Sequence, residues 1–361
     1  MLIKKKNMSE NRNLIYYLGA GASAQAVPVV NQTDTYLELL RSYIAAQSNL
    51  ENKKAQKLLI ENIQWIQKNK TPSETVDTFA RRLSLQQKSN ELMRVKSVLS
   101  FLYTFLMYTE IEYSPWKEGL IKQSENRFSI DPRYNSFLAN IAHNARDEIM
   151  LPENISIVSW NYDIQLEACL YQYTGKPAHE VINTCRIGSN KVIENKPGIF
   201  SMIKLNGTAG YRIMEGAYEK PWKYYSDMPD KTGITKRIDE LLQFHWSSLN
   251  GDATNYTGEI LLNFAWEDKP YQEEMHVAAK TIVQTCSHLI IVGYSFPFFN
   301  RDIDRQILSE MQKIEMIYIQ EPTEASFRKV RSRVRSFLRK ELHERIEHID
   351  DVSDFFIPYD Y

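Results

Sequence analysis

The sequence predicts an α/β protein: a Rossmann-like, mostly parallel sheet with helices on both faces, a large helical insertion and no zinc ribbon. Three observations predict it. Short apolar runs alternate with segments of helical period, the strand, crossover helix, strand pattern of a parallel sheet. The first such run leads straight into Gly19-Ala20-Gly21, as a buried strand enters a phosphate-binding turn. Between it and the next convincing strand, apolar residues keep helical spacing for roughly a hundred residues.

In chain order, residues 13–18 form the first strand. Helical spacing over 35–66 and 73–108 is carried by Leu37, Leu40 and Ile44, by Leu58, Ile63 and Ile66, and by Val76, Phe79 and Leu83. Ser73 with Val76 and Asp77, after Pro72, predicts a capped helix start, and Pro115 near Trp116 predicts a break. A helix is expected over 133–147 and another over 271–286, with strands at 155–158, 200–205, 259–264, 289–292 and 316–320. The stretch 211–257 has little periodicity and reads as an irregular insertion. Arg328, Lys329, Arg331, Arg333, Arg335, Arg339 and Lys340 interleave with Val330, Val334 and Phe337, predicting an amphipathic helix over 327–340 with a solvated basic face. The apolar run 355–359 predicts docking on the body or on another subunit. Four segments result: the first strand and its turn (1–34), a helical lobe (35–150), the rest of the core (151–325) and a basic helix with its tail (326–361).

Composition narrows the function. At 361 residues the chain can bury substantial cores. A formal charge of −1 argues against a general electrostatic nucleic-acid binder, so nucleic acid is expected only through a partner. Cys169, Cys185 and Cys286 form no C-x-x-C pair, which fits a reducing cytoplasm and no metal. No run of about 18 apolar residues occurs, so no membrane span is expected.

The chemistry concentrates in four segments, each at the carboxyl end of an expected strand: Leu18-Gly19-Ala20-Gly21-Ala22-Ser23, Ser159-Trp160-Asn161-Tyr162-Asp163, Lys204-Leu205-Asn206-Gly207 and Gly293-Tyr294-Ser295-Phe296-Pro297. Gly19 and Gly21 allow a tight turn and close backbone approach to a diphosphate, and Ser23 adds a hydroxyl. With Ala24 the turn also fits a loose G-x-G-x-x-A fingerprint. A dehydrogenase would place an acidic residue at a second strand about 20 residues on, where this chain reads as helix. Asn161 offers donors and an acceptor to a carboxamide, a ribose hydroxyl or a water, while Asp163 can steady a developing positive charge; the plainer alternative is a helix cap.

Taken together, the segments resemble the Sir2-like family, over most of 14–322, and its zinc-free bacterial branch in particular. The resemblance implies NAD+ as substrate, cleavage of its nicotinamide bond, and a role as an anti-phage defence effector. It further implies catalytic roles for Asn161, Asp163 and Asn206, and cofactor contacts from Gly19, Ala20, Gly21, Ala22, Ser23, Ser159, Gly207, Gly293, Tyr294, Ser295 and Gln320. Asn300 and Asp302 follow the late Gly-Tyr-Ser segment as in the family. A homo-oligomer is expected, with a HerA-type ATPase, an Argonaute-like protein or a phage protein as partner or activator. The departure is Asn206, where the family most often carries a histidine. Histidine can accept a proton near neutrality and asparagine cannot, so a slower enzyme or a binding-only subunit is the alternative. His245, His276 and His288 are candidate substitutes, His245 foremost.

Overall fold

Every residue of Leu14–Leu18 (β1) is buried. An apolar run with no polar face belongs inside a sheet covered on both sides. In the computed structural model, which describes residues 12–108, 130–145, 148–175, 200–214, 217–219, 234–250 and 259–359, β1 pairs in parallel with both Ile155–Ser159 (β4) and His288–Val292 (β9). Ser201–Lys204 (β5) extends the sheet beyond β4, while Met316–Gln320 (β10) and Ile346–Ile349 (β11) extend it beyond β9. The six-stranded order β11-β10-β9-β1-β4-β5 is parallel throughout and Rossmann-like. The chain leaves β1 toward β4 and β5, then returns to the other side at β9. That reversal opens a crevice at the carboxyl end of β1, where ligands of such sheets bind.

The helical lobe begins with Thr33–Ala46 (α1), Lys53–Asn69 (α2), Val76–Leu85 (α3) and Ser89–Tyr108 (α4). Side-chain caps start α2 and α3: Asn52 accepts from the Ala55 amide and Thr75 from the Thr78 amide, so the expected cap at Ser73 falls two residues late. On α2 the buried stripe is Ala55, Leu59, Ile63 and Ile66, with Leu59 rather than Leu58 turned inward. Pro132–Ile141 (α5) ends earlier than expected and is followed by a hairpin of His143–Ala145 (β2) and Glu148–Met150 (β3). After β4 comes Gln165–Thr174 (α6), closed by Gly175 at φ +61°.

Two expectations change. The unassigned stretch contains Gly207–Met214 (β6), Ala217–Glu219 (β7) and a helix, Ile234–Asn250 (α7). α7 packs on α2 and α4, where the Asp239 carboxylate accepts from the amides of Glu51 and Asn52. Its periodicity was hidden by polar residues with buried partners: His245 is fully buried between Asn62 and Ser97. Glu259–Leu262 (β8) is a strand but not part of the main sheet; it pairs antiparallel with β6 in a three-stranded sheet. Pro115, Trp116, Cys185 and the segment 1–11 lie outside the described residues.

Pro270–Val283 (α8), Arg301–Leu308 (α9) and Glu324–Arg335 (α10) complete the helices. α10 buries Phe327, Val330 and Val334; Arg328 and Lys329 are exposed, Arg328 pairing with Glu324, while Arg331, Arg333 and Arg335 are half-buried. The tail docks on the body: Phe355 is buried against Tyr134 and Phe137. Among the described residues no helix is long and apolar enough to cross a membrane.

The turns after β1 and β9 meet backbone to backbone. The Gly21 amide donates to the Gly293 carbonyl at 2.9 Å, and a Cβ on Gly293 (φ +58°) would lie 2.3 Å from the Gly21 carbonyl carbon. Gly175 has a similar φ but open space around it. Gly293→Ala should therefore lose at least about 2 kcal/mol in urea unfolding, and Gly175→Ala only about 1 kcal/mol, the strain without the clash.

Candidate functional site

A cavity of about 380 Å³ occupies the crevice, within the range of small-molecule sites. Its floor is built by the loops after β1, β4, β5 and β9, represented by Gly19 and Ala20, by Trp160 to Asp163, by Asn206, and by Gly293 to Ser295. Its roof comes from elsewhere: Thr75 to Thr78 at the start of α3, Leu99 and Tyr103 of α4, and Phe264 to Trp266 after β8.

Asn161 is held in a fixed pose. Its Nδ2 donates to the Gly19 carbonyl at 3.0 Å and to Ser23 Oγ at 3.3 Å, and its amide donates to Ser159 Oγ at 3.1 Å. The donors are thus committed to the protein, and Oδ1 is left to the cavity, with no partner among the described residues. Asn206 donates from Nδ2 to the Trp160 carbonyl at 3.3 Å, while its Oδ1 is buried without a partner. A buried oxygen without a donor is costly unless a ligand or water supplies one.

Asp163 accepts from the Gln165 amide at 3.1 Å. Burial pushes its carboxyl up to about 6, against the opposing pull of nearby Lys204. Lys204 is itself fully buried, paired with Glu167 at 3.0 Å and donating to the Asp163 carbonyl. The lysine of the Lys-Leu-Asn-Gly string therefore braces the loop that carries Asp163.

Below the cavity three donors converge on Asp304 of α9: Tyr17 Oη at 2.6 Å, Tyr294 Oη at 2.8 Å and Trp160 Nε1 at 3.1 Å. Asn300 Nδ2 donates to Tyr294 Oη at 3.0 Å. Burial raises the Asp304 carboxyl to about 7, the three donors working against it. Asp302, the acid the sequence singles out, lies on the exposed face of the same helix and pairs with Arg305 at 3.8 Å.

Of the sequence-predicted residues, Gly19, Ala20, Asn161, Asp163, Asn206, Gly293, Tyr294 and Ser295 line the cavity together. Gly21, Ala22, Ser23, Ser159 and Gly207 stand behind it. The amides of Gly19, Gly21 and Ala22 are engaged by the Val292, Gly293 and Gly19 carbonyls, and Ser23 Oγ meets Tyr134 Oη at 3.1 Å. Gly207, at φ +75°, lets β6 approach β8 closely, since a Cβ would lie 2.0 Å from the Leu261 carbonyl oxygen. Gln320 lies apart: its Nε2 donates to the carbonyls of Asp351 and Asp354, and its Oε1 accepts from the Phe356 amide, so it fastens the tail. None of His245, His276 and His288 lines the cavity, and burial lowers the pKa of all three, His245 to about 4. Sequence reasoning missed Asp77, Tyr103, Trp266 and Asp304. The one available signal was the aromatic Phe264-Ala265-Trp266 run directly after a strand.

Compared with protein-family models, curated proteins and solved structures, the chain matches none. Fold and site define a Rossmann-like α/β protein whose ligand cavity sits at the switch point of the sheet.

Asp304 offers a test of the floor. Its pKa is raised on folding, so the folded state holds a proton the unfolded state has released, and stability falls as pH rises from about 4 to about 7. Relative to Asp304→Asn, the wild type should lose roughly 1 kcal/mol per pH unit across that window, read by urea unfolding at fixed ionic strength.

Proposed function

We propose that this protein is a NAD+ glycohydrolase, cleaving NAD+ to nicotinamide and ADP-ribose, and that it serves as a partner-controlled effector of anti-phage defence. One observation carries the enzymatic part: loops far apart in sequence, each bearing a segment of the Sir2-like pattern, converge on a single cavity at the switch point. The defence role and its activator rest on the sequence resemblance.

The side chains fit such a substrate. The free oxygens of Asn161 and Asn206 can accept from a carboxamide or ribose hydroxyls. Breaking the nicotinamide bond builds positive charge on the ribose, and the Asp163 carboxylate beside the cavity can stabilise it. Among the described residues no Lys, Arg or His lines the cavity, which suits the cationic nicotinamide end rather than a diphosphate. Cations gather at the rim instead, with Arg301 5.4 Å from the ring of lining Phe298 and Arg333 donating to the Ser295 carbonyl. The aromatic walls, Tyr103, Trp160, Tyr162, Phe264 and Trp266, limit access of water to the bond.

A second reading, a subunit that binds NAD+ or ADP-ribose without turnover, is favoured by Asn206 and by the absence of histidine from the lining. Nicotinamide release by the purified protein, alone and with activators, separates the two. Release is expected, with Asn161→Ala lowering it by at least about 100-fold. NAD+ binding with release only in Asn206→His would establish the binding subunit.

A further inference from the structure

The helical lobe brings into the cavity a carboxylate that no sequence motif accounts for. Asp77 is the second residue of α3, directly after Thr75 caps the helix. An acid in a first turn is favourable against the helix dipole alone, and would need no other explanation if it faced solvent. Asp77 instead lines the cavity, where its carboxylate accepts no hydrogen bond and pairs with no cation among the described residues. The Tyr103 hydroxyl feels the charge of both Asp77 and Asp163, and the two acids line a common space from roof and floor. Independently, Asn206, only 6% exposed, lines the same cavity, and its buried Oδ1 has no hydrogen-bond partner among the described residues. An orphaned acceptor and an unpaired carboxylate converging on one cavity are the partners a bound water requires.

Building on the glycohydrolase reading above, we infer that Asp77 is the proton acceptor for the attacking water, the role that asparagine at position 206 cannot fill. The bond between the ribose C1′ and the nicotinamide nitrogen breaks, and its electron pair leaves with the ring, neutralising the ring's positive charge. The water oxygen bonds to C1′ and its proton passes to the Asp77 carboxylate, while Asn206 Oδ1 accepts the water's other hydrogen. Asp77 then returns its proton to solvent, so NAD+ and water yield nicotinamide, ADP-ribose and one proton.

Asp163 is less suited to this step, because it already accepts from the Gln165 amide and lies beside Lys204. Burial raises the Asp77 carboxyl to about 6, which leaves it ionised at neutral pH yet basic enough to take a proton. Its other titratable neighbours, Tyr103 and Tyr162, stay protonated there, because burial raises both.

The test is nicotinamide release from NAD+ by the full chain as wild type, Asp77→Asn, Asp77→Ala and Asn161→Ala, with NAD+ affinity from calorimetry. Asp77→Asn is expected to lower kcat by about 10²- to 10⁴-fold while KM and affinity stay within about threefold. Formate, supplying an external carboxylate, should partly restore Asp77→Ala and not Asn161→Ala. Wild-type release that depends on Asn161, with Asp77→Asn retaining more than about a tenth of the rate, overturns the role of Asp77 and leaves the hydrolase standing. A wild type that binds NAD+ and releases no nicotinamide, alone or with activators, overturns both.

Discussion

The contact between the turns after β1 and β9 is the constraint on which the site depends. Gly21 and Gly293 approach so closely that neither position accepts a side chain without displacement of the other turn's backbone. On the far side of the same turn, Asn161 Nδ2 fastens the Gly19 carbonyl, and Arg133, ion-paired to Asp131 at 2.6 Å, donates to the Gly21 carbonyl at 2.8 Å. A glycine turn gripped from three sides cannot rearrange to wrap a ligand. The amides of Gly19, Gly21 and Ala22 serve the packing of the turn, and the side chains that line the cavity hold positions that the turn fixes. This inverts the usual expectation for a Gly-Ala-Gly turn, in which the backbone is the ligand-binding group.

Burial then sets the electrostatics. Asp77, Asp163 and Asp304 are all raised by desolvation, to about 6, 6 and 7. Asp304 offsets the cost with three donors and thereby locks Tyr17, Trp160 and Tyr294 into one rigid floor. Asp163 has Lys204 nearby, and Asp77 has neither device. Asp77 is half-buried in the cavity wall, and an acid held there without a partner is most often one that function uses.

The main sheet was legible because its strands are uninterrupted apolar runs, Leu14–Leu18 and His288–Val292 above all, and because each ends in a turn signal. The floor of the cavity followed from the same logic, since loops at the carboxyl ends of adjacent parallel strands must be neighbours. The roof did not. Asp77, Tyr103 and Trp266 reach the cavity through tertiary packing of the lobe, and nothing in their local sequence encodes which way a helix docks. Helix α7 was hidden because His245 and Asp239 break its apolar pattern while being satisfied from elsewhere, His245 by α2 and α4 and Asp239 by the loop before α2. Gln320 misled for the converse reason: the end of a core strand is a plausible ligand position, and only the course of the tail shows its amide already taken.

A cavity with floor and roof on different parts of the fold ties its chemistry to the lobe's seating. That seating is polar as well as apolar. Lys96 of α4, only 1% exposed, donates to Asn263 at 2.8 Å and pairs with Glu267 at 3.1 Å, clasping the loop that carries Phe264 and Trp266. Tyr103 packs on Tyr162 with ring centroids 5.8 Å apart, directly above the Asn161 loop. Buried ion pairs of this kind are weak sources of net stability but severe penalties when broken, so they favour one seating over near alternatives. Anything that binds the outer surface of the lobe and shifts that seating moves the roof carboxylate relative to the floor amides. Positioning over such distances is steep in its effect on rate, because a displacement of about 1 Å can cost a hundredfold. Control by a partner would need no contact with the cavity, only with the helices whose packing decides where Asp77 stands.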